Sequence, residues 1–201
     1  MSRAVATLIA VVAIVVVAAS CGGEARELVG YTRTPAPTVD VAELPDVSQG
    51  GEPFRFAADT GDLLVVYFGY TNCPDVCPTT MADLRRAIDE LDDDRADRIE
   101  VAMVTVDPDR DTDVLAEYVQ SFVPHAHAIA TGDAAALATV AAPFGVSYEV
   151  SEQPNGDVDV AHSTQLYVVD DAGSLVLTWP FGTTADDIAG DLKQLLDGID
   201  G

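Results

Sequence analysis

From Phe54 onward the chain alternates short unbroken apolar runs with stretches whose apolar residues recur every three or four positions. Leu63-Leu64-Val65-Val66-Tyr67-Phe68 contains no polar break, which predicts a strand covered on both faces. Pro78 to Leu91 sets Met81, Leu84, Ala87, Ile88 and Leu91 at helical spacing with charges between them. Ile99 to Val106 predicts a second buried strand, and Asp111 and Thr112 offer caps to a helix running to about Phe122. Ala126 to Ala130 predicts a strand and Asp133 to Phe144 a helix. Ser163 to Val169 and Leu175 to Trp179 predict two strands around an Asp170-Asp171-Ala172-Gly173 turn. Thr184 or Ala185 then opens a last helix towards Leu196.

Strands alternating with helices and closing on a hairpin and a helix imply an α/β domain, a mixed central sheet with helices on both faces. The order of elements is thioredoxin-like. The domain is expected over residues 53–201. Residues 21–52 hold Gly, Pro and polar positions without sustained periodicity, as in Thr34-Pro35-Ala36-Pro37. They predict a tether with a short strand near its end.

Ahead of the tether lies a different pattern. Ala4 to Ala19 is mostly aliphatic, broken only by Thr7 and preceded by Arg3. It is short for a spanning helix and fits the core of a signal peptide over residues 1–20. Ala18-Ala19-Ser20-Cys21 follows and resembles a bacterial lipobox, which would make Cys21 the lipidated first residue of the mature chain. An uncleaved anchor helix is the alternative. Either reading puts the domain at the cell membrane, on its extracytoplasmic side.

Charge narrows the partners. The 201 residues carry 10 basic and 34 acidic side chains, a formal charge of −24. Such a surface is repelled by phosphate backbones, so nucleic acid is not expected as a partner. The signal segment holds one Arg and no acid, so the acidity belongs wholly to the exported part. Three cysteines are too few for a disulfide scaffold.

Two of those cysteines, Cys73 and Cys77, sit between the first buried strand and the helix behind Pro78. That is the carboxyl edge of a strand, where α/β sheets place their sites. Pro78 suits a first helical position, which sets Cys77 at the helix start, where the dipole favours thiolate. Three intervening residues give a loop wide enough for two sulfurs to grip one metal ion. A short stabilising disulfide and a thiol–disulfide redox pair stay open at this point. His162 stands before the strand Ser163–Val169, a position that can fold back beside the cysteine loop.

Phe68-Gly69-Tyr70-Thr71-Asn72-Cys73-Pro74-Asp75-Val76-Cys77-Pro78, then Thr105-Val106-Asp107-Pro108-Asp109-Arg110-Asp111-Thr112, then His162-Ser163 closely resemble the Sco/SenC family of copper-binding, thioredoxin-like assembly factors. The resemblance runs from about Phe54 to Leu196. It implies that Cys73, Cys77 and His162 bind one copper ion, as Cu(I) or Cu(II). It also implies a part in building the binuclear copper centre of cytochrome c oxidase, with the copper-bearing subunit of that oxidase as partner. Many members carry His where this chain has Asn72, a position that is not a family ligand. The rival expectation is an extracytoplasmic thiol–disulfide oxidoreductase using Cys73 and Cys77. A peroxide-reducing enzyme is weaker, since nothing separates a peroxidatic from a resolving cysteine.

Other residues have plainer readings. Asp107 ends a buried strand on the cysteine edge and either tunes the site or shapes its loop. His125 and His127 read as a surface pair, Met81 as core, and the acids from Asp89 to Asp97 as a solvated helix end.

Overall fold

The structure, a computed structural model, describes residues 26–200, so the expected signal peptide and Cys21 lie outside the described residues. Two short strands come first, β1 (Leu44–Asp46) and β2 (Glu52–Phe54). The apolar runs follow as β3 (Leu63–Gly69) and β4 (Ile99–Thr105), with helices α1 (Val76–Asp89) and α2 (Asp93–Ala96) between them. Next are α3 (Pro108–Asp111), α4 (Leu115–Phe122), β5 (His127–Ile129) and α5 (Ala134–Phe144). The chain ends with β6 (Tyr148–Glu152), β7 (Val158–His162), β8 (Leu166–Val169), β9 (Leu175–Trp179) and α6 (Ala185–Ile199). Among the described residues no helix is long and apolar enough to cross a membrane.

Seven strands form one sheet in the order β2-β1-β5-β4-β3-β8-β9, with β6 and β7 paired separately. Parallel β3, β4 and β5 make its centre, and antiparallel partners flank them. Alternation along β3 explains why no polar residue interrupts it. Leu63, Val65 and Tyr67 face α1, α4 and α6, whereas Leu64, Val66 and Phe68 face α5. All seven residues of β3 are buried, and each large aliphatic side chain so covered contributes roughly 1.5–3 kcal/mol. Phe68, Phe144 and Tyr167 meet edge to face at 5.2–6.1 Å on the α5 side. The thioredoxin-like α/β arrangement expected from the pattern is the one observed.

Two segments differ from expectation. The first is the expected tether, which lies on the domain over most of its described length. Val29 and Gly30 donate their N–H groups to the Asp191 carboxylate at 2.9–3.1 Å. Tyr31 and Thr178 exchange backbone hydrogen bonds of 3.0 Å, which adds the segment to the open edge of β9. Val39 is fully buried, and Arg33 donates to the last carbonyls of α5, Pro143 and Phe144. An extended strip without periodicity reads as a linker, because its partners lie far along the chain.

The second is the helix expected from Asp111, which begins only at Leu115 as α4, while Asp111 is the last residue of the short α3. Asp111 caps neither piece; its carboxylate turns inward to the cysteine loop. His127 also departs from the surface reading, because its Nδ1 lies 2.7 Å from Oδ2 of buried Asp46 and ties β5 to β1.

Asp191 is the firmest long-range stitch. Fully buried, it also accepts the Trp179 indole N–H at 2.9 Å and pairs with Arg26 at 3.0 Å. Asp191→Ala strands one indole and two backbone donors. A loss of roughly 3 kcal/mol or more is expected from donors left unsatisfied at about 1–3 kcal/mol each. It is read as a lower urea midpoint with an unchanged slope, and an unchanged midpoint would refute it.

Candidate metal centre

The loop from Tyr70 to Asp75 carries the chain from the end of β3 into α1. Gly69 closes the strand because nothing larger fits. A Cβ there would stand 2.6 Å from the Tyr67 ring, 3.1 Å from Met103 Cε and 3.2 Å from Cys77 Sγ. Asp111 holds the loop from below. Wholly buried, it accepts the Thr71 N–H at 2.9 Å, the Thr71 hydroxyl at 2.5 Å and the Thr105 hydroxyl at 2.6 Å. One carboxylate therefore joins the loop to the end of β4. Asp107, the residue expected to tune the site, is also buried, but its carboxylate pairs with Arg110 and stands outside the ligand group.

Helix α1 starts at Val76, two residues earlier than a Pro78 start predicts, and Asp75 makes no side-chain cap. Cys73 fills that role instead, since the Cys77 N–H points at Cys73 Sγ from 3.3 Å. The two sulfurs are therefore unlike. Burial alone would raise the half-buried Cys73 thiol, but the N–H groups of Cys77 and Asp75, with the Cys77 and Tyr70 side chains, outweigh it and bring Cys73 below the ordinary thiol range. Cys77 is fully buried, and loss of solvent pushes it up to about 12. The helix start thus favours thiolate at Cys73, not at Cys77 as the sequence spacing suggested.

His162 arrives from an element that the sequence pattern did not disclose. It is the last residue of β7, opposite Tyr148 in the β6–β7 hairpin, and β8 begins only at Leu166. The hairpin turn contains Asn155-Gly156, with Gly156 at φ +87°. That dipeptide between Tyr148-Glu149-Val150 and Val158-Asp159-Val160 was the available signal. Nδ1 of His162 lies 2.7 Å from the Ser163 carbonyl oxygen, which can only accept, so Nδ1 carries the proton. The lone pair of Nε2 then faces Cys77 Sγ at 3.6 Å. A carbonyl on the far nitrogen is the usual way a metal-binding imidazole is oriented. Tyr70 and Tyr67 stand edge-on to the ring at 5.6 and 6.2 Å. Burial lowers the basicity of His162, which keeps the imidazole neutral.

Ligand atoms of Cys73, Cys77 and His162 all lie within 4.8 Å of one another. Donors bound at about 2.0–2.3 Å to one ion stand roughly 3.5–4 Å apart, so a small contraction closes the group on a metal. His125 and His127 do not join it, and Met81 is core. An open hollow of about 390 Å³ lined by Tyr70, Cys73, Pro74, Val76, Val160 and His162 gives access from solvent.

The SCO1/SenC family model matches residues 43–197. The chain belongs to the SCO1/SenC family. A SCO2-like protein of Rickettsia prowazekii is 35% identical over 130 residues, 63% of this chain and 62% of that protein. The solution structure of apo Sco1 from Thermus thermophilus superposes with a TM-score of 0.69 at 30% identity, covering 89% of this chain and 98% of that one. Bradyrhizobium japonicum ScoI, solved with copper bound, superposes with a TM-score of 0.65 at 30% identity, covering 76% of this chain and 96% of that one. The SCO1/SenC match thus spans the cysteine loop, the Asp111 segment and the His162 hairpin together.

The unlike thiols give a direct check. In the dithiol form, iodoacetamide at pH 7 should modify Cys73 at least about tenfold faster than Cys77, because the thiolate is the reactive form. Peptide mass spectrometry at short times measures both rates, and equal rates would contradict the asymmetry.

Proposed function

We propose that this chain is an extracytoplasmic copper metallochaperone, held at the membrane through its amino-terminal segment by lipidated Cys21 or an anchor helix. Its cargo is one copper ion bound by Cys73, Cys77 and His162, destined for the copper-bearing subunit of cytochrome c oxidase. The observation that carries this reading is the convergence of two sulfurs and a correctly oriented imidazole nitrogen beside an open hollow. The copper-bound relative from Bradyrhizobium japonicum supports it.

The donor chemistry fits copper. Thiolates are soft ligands suited to Cu(I), and imidazole serves both Cu(I) and Cu(II). Two thiolates and a neutral imidazole give Cu(I) a site of net charge −1, next to the positive end of α1. Three donors leave coordination room, and donors of a recipient can enter through the hollow before the chain's own ligands let go. The ion then changes hands by ligand exchange without becoming free.

The two thiols also favour a second reading, reduction of a partner disulfide. Cys73, half-buried at the rim and biased to thiolate, attacks one partner sulfur and releases the other as a thiolate. Cys77 loses its proton, attacks Cys73 Sγ and frees the second partner thiol. Two electrons pass to the partner and a Cys73–Cys77 disulfide remains.

Copper loading of the exported chain separates the readings. Wild type should bind one copper per chain and show a sulfur-to-Cu(II) charge-transfer band. His162→Ala and the Cys73→Ser/Cys77→Ser double variant should lose that band and most of the Cu(II) affinity. Wild-type binding by His162→Ala would defeat the three-ligand site. Turnover of model disulfides by a wild type that binds no copper would favour the reductase.

Proton competition supplies a further check. Cys77 is protonated at neutral pH and must lose that proton to bind metal. Cu(I) affinity should therefore rise by about tenfold or more per pH unit between pH 6 and 8 and weaken as pH falls. Chelator competition across that range measures it, and a flat profile would exclude a thiolate role for Cys77.

A further inference from the structure

We propose that Tyr67 is a positioning residue for the metal-bound Cys77 sulfur, to which it donates a hydrogen bond that forms only when the ion is held; this rests on the copper reading above. Tyr67 is the fifth residue of β3, fully buried beneath the ligand group. Its ring stands edge-on to His162 at 6.2 Å. The Cε1 edge of its ring and the Cys77 sulfur both crowd the Gly69 Cα, and its hydroxyl is buried without completing a hydrogen bond. Phe at this position would fill the same core volume without leaving a polar atom stranded.

A buried phenol without an acceptor costs about as much as a lost hydrogen bond, so its presence calls for an acceptor in another state of the protein. That acceptor is the Cys77 sulfur, packed with the ring against Gly69. In the thiol form, sulfur is a poor acceptor. Metal entry displaces the Cys77 proton to solvent and leaves a sulfur with anionic character, to which a hydroxyl donates far better. Tyr67 keeps its proton throughout and only shares it. The hydrogen bond then favours the loaded form over the empty one and withdraws electron density from the sulfur–metal bond.

Tyr67→Phe removes the hydroxyl and keeps the ring. Cu(I) affinity by chelator competition should fall about tenfold. The sulfur-to-Cu(II) charge-transfer band should move to lower energy, because the sulfur lone pairs lose a stabilising donor. Without copper the variant should melt at the wild-type temperature or above it, while the rise on copper loading becomes smaller. Wild-type affinity and an unmoved band in Tyr67→Phe would overturn the inference. So would an equal loss of stability in the empty and loaded forms, since that marks a purely structural hydroxyl. Failure of the wild-type chain to bind copper is a distinct result that defeats the copper reading, and this inference with it.

Discussion

Two sulfurs can share one ion only if a loop and a helix start keep them a few ångströms apart, and here one buried carboxylate sets that spacing. Asp111 gathers three donors, two from Thr71 in the cysteine loop and one from Thr105 at the end of β4. No cation is needed nearby, because charge-assisted hydrogen bonds offset the cost of burying the group. With Thr71 fixed, the chain enters α1 along one path, and the first amide of that helix to face the loop reaches Cys73. The asymmetry of the thiols follows from this placement. One sulfur sits against backbone N–H groups at the rim, and the other is sunk in the core beneath them.

The third donor obeys a separate constraint. His162 belongs to a hairpin that pairs with no strand of the main sheet. Its position depends on the ladder with β6, the Ser163 carbonyl and the two tyrosine rings beneath it. The Ser163 carbonyl fixes the tautomer and the rings help to fix the plane, while burial keeps the imidazole neutral, so the nitrogen arrives already aimed. The sulfurs come from the rigid middle of the fold and the imidazole from an appendage.

What could be read in the sequence divides along the same line. The centre of the sheet and its covering helices were legible, because β3 and β4 are apolar on both faces and α1 keeps helical spacing. Leu175–Trp179 was recovered with its bounds intact, framed by the Asp170–Gly173 turn. That Cys73, Cys77 and His162 come together was legible through their motifs. The clamp was not, since a buried Asp111 and a helix-capping Asp111 look alike until Thr71, 40 residues earlier, is seen against it. The docking of Val29 on Asp191 spans 162 residues and leaves no periodic trace. The hairpin escaped notice because charged residues interrupt its short strands.

The segment laid along β9 has a consequence for how other chains can approach. With Tyr31 paired to Thr178, that margin of the sheet is covered. The opposite margin is the three-residue β2, whose middle position is Pro53 and offers no N–H. Extension of the sheet by a foreign strand is thus blunted at both ends, a safeguard against self-association. Among the described residues, unpaired backbone is left instead along the hairpin that carries His162. A strand added there would lie against the support of the imidazole and away from the loop that carries the sulfurs.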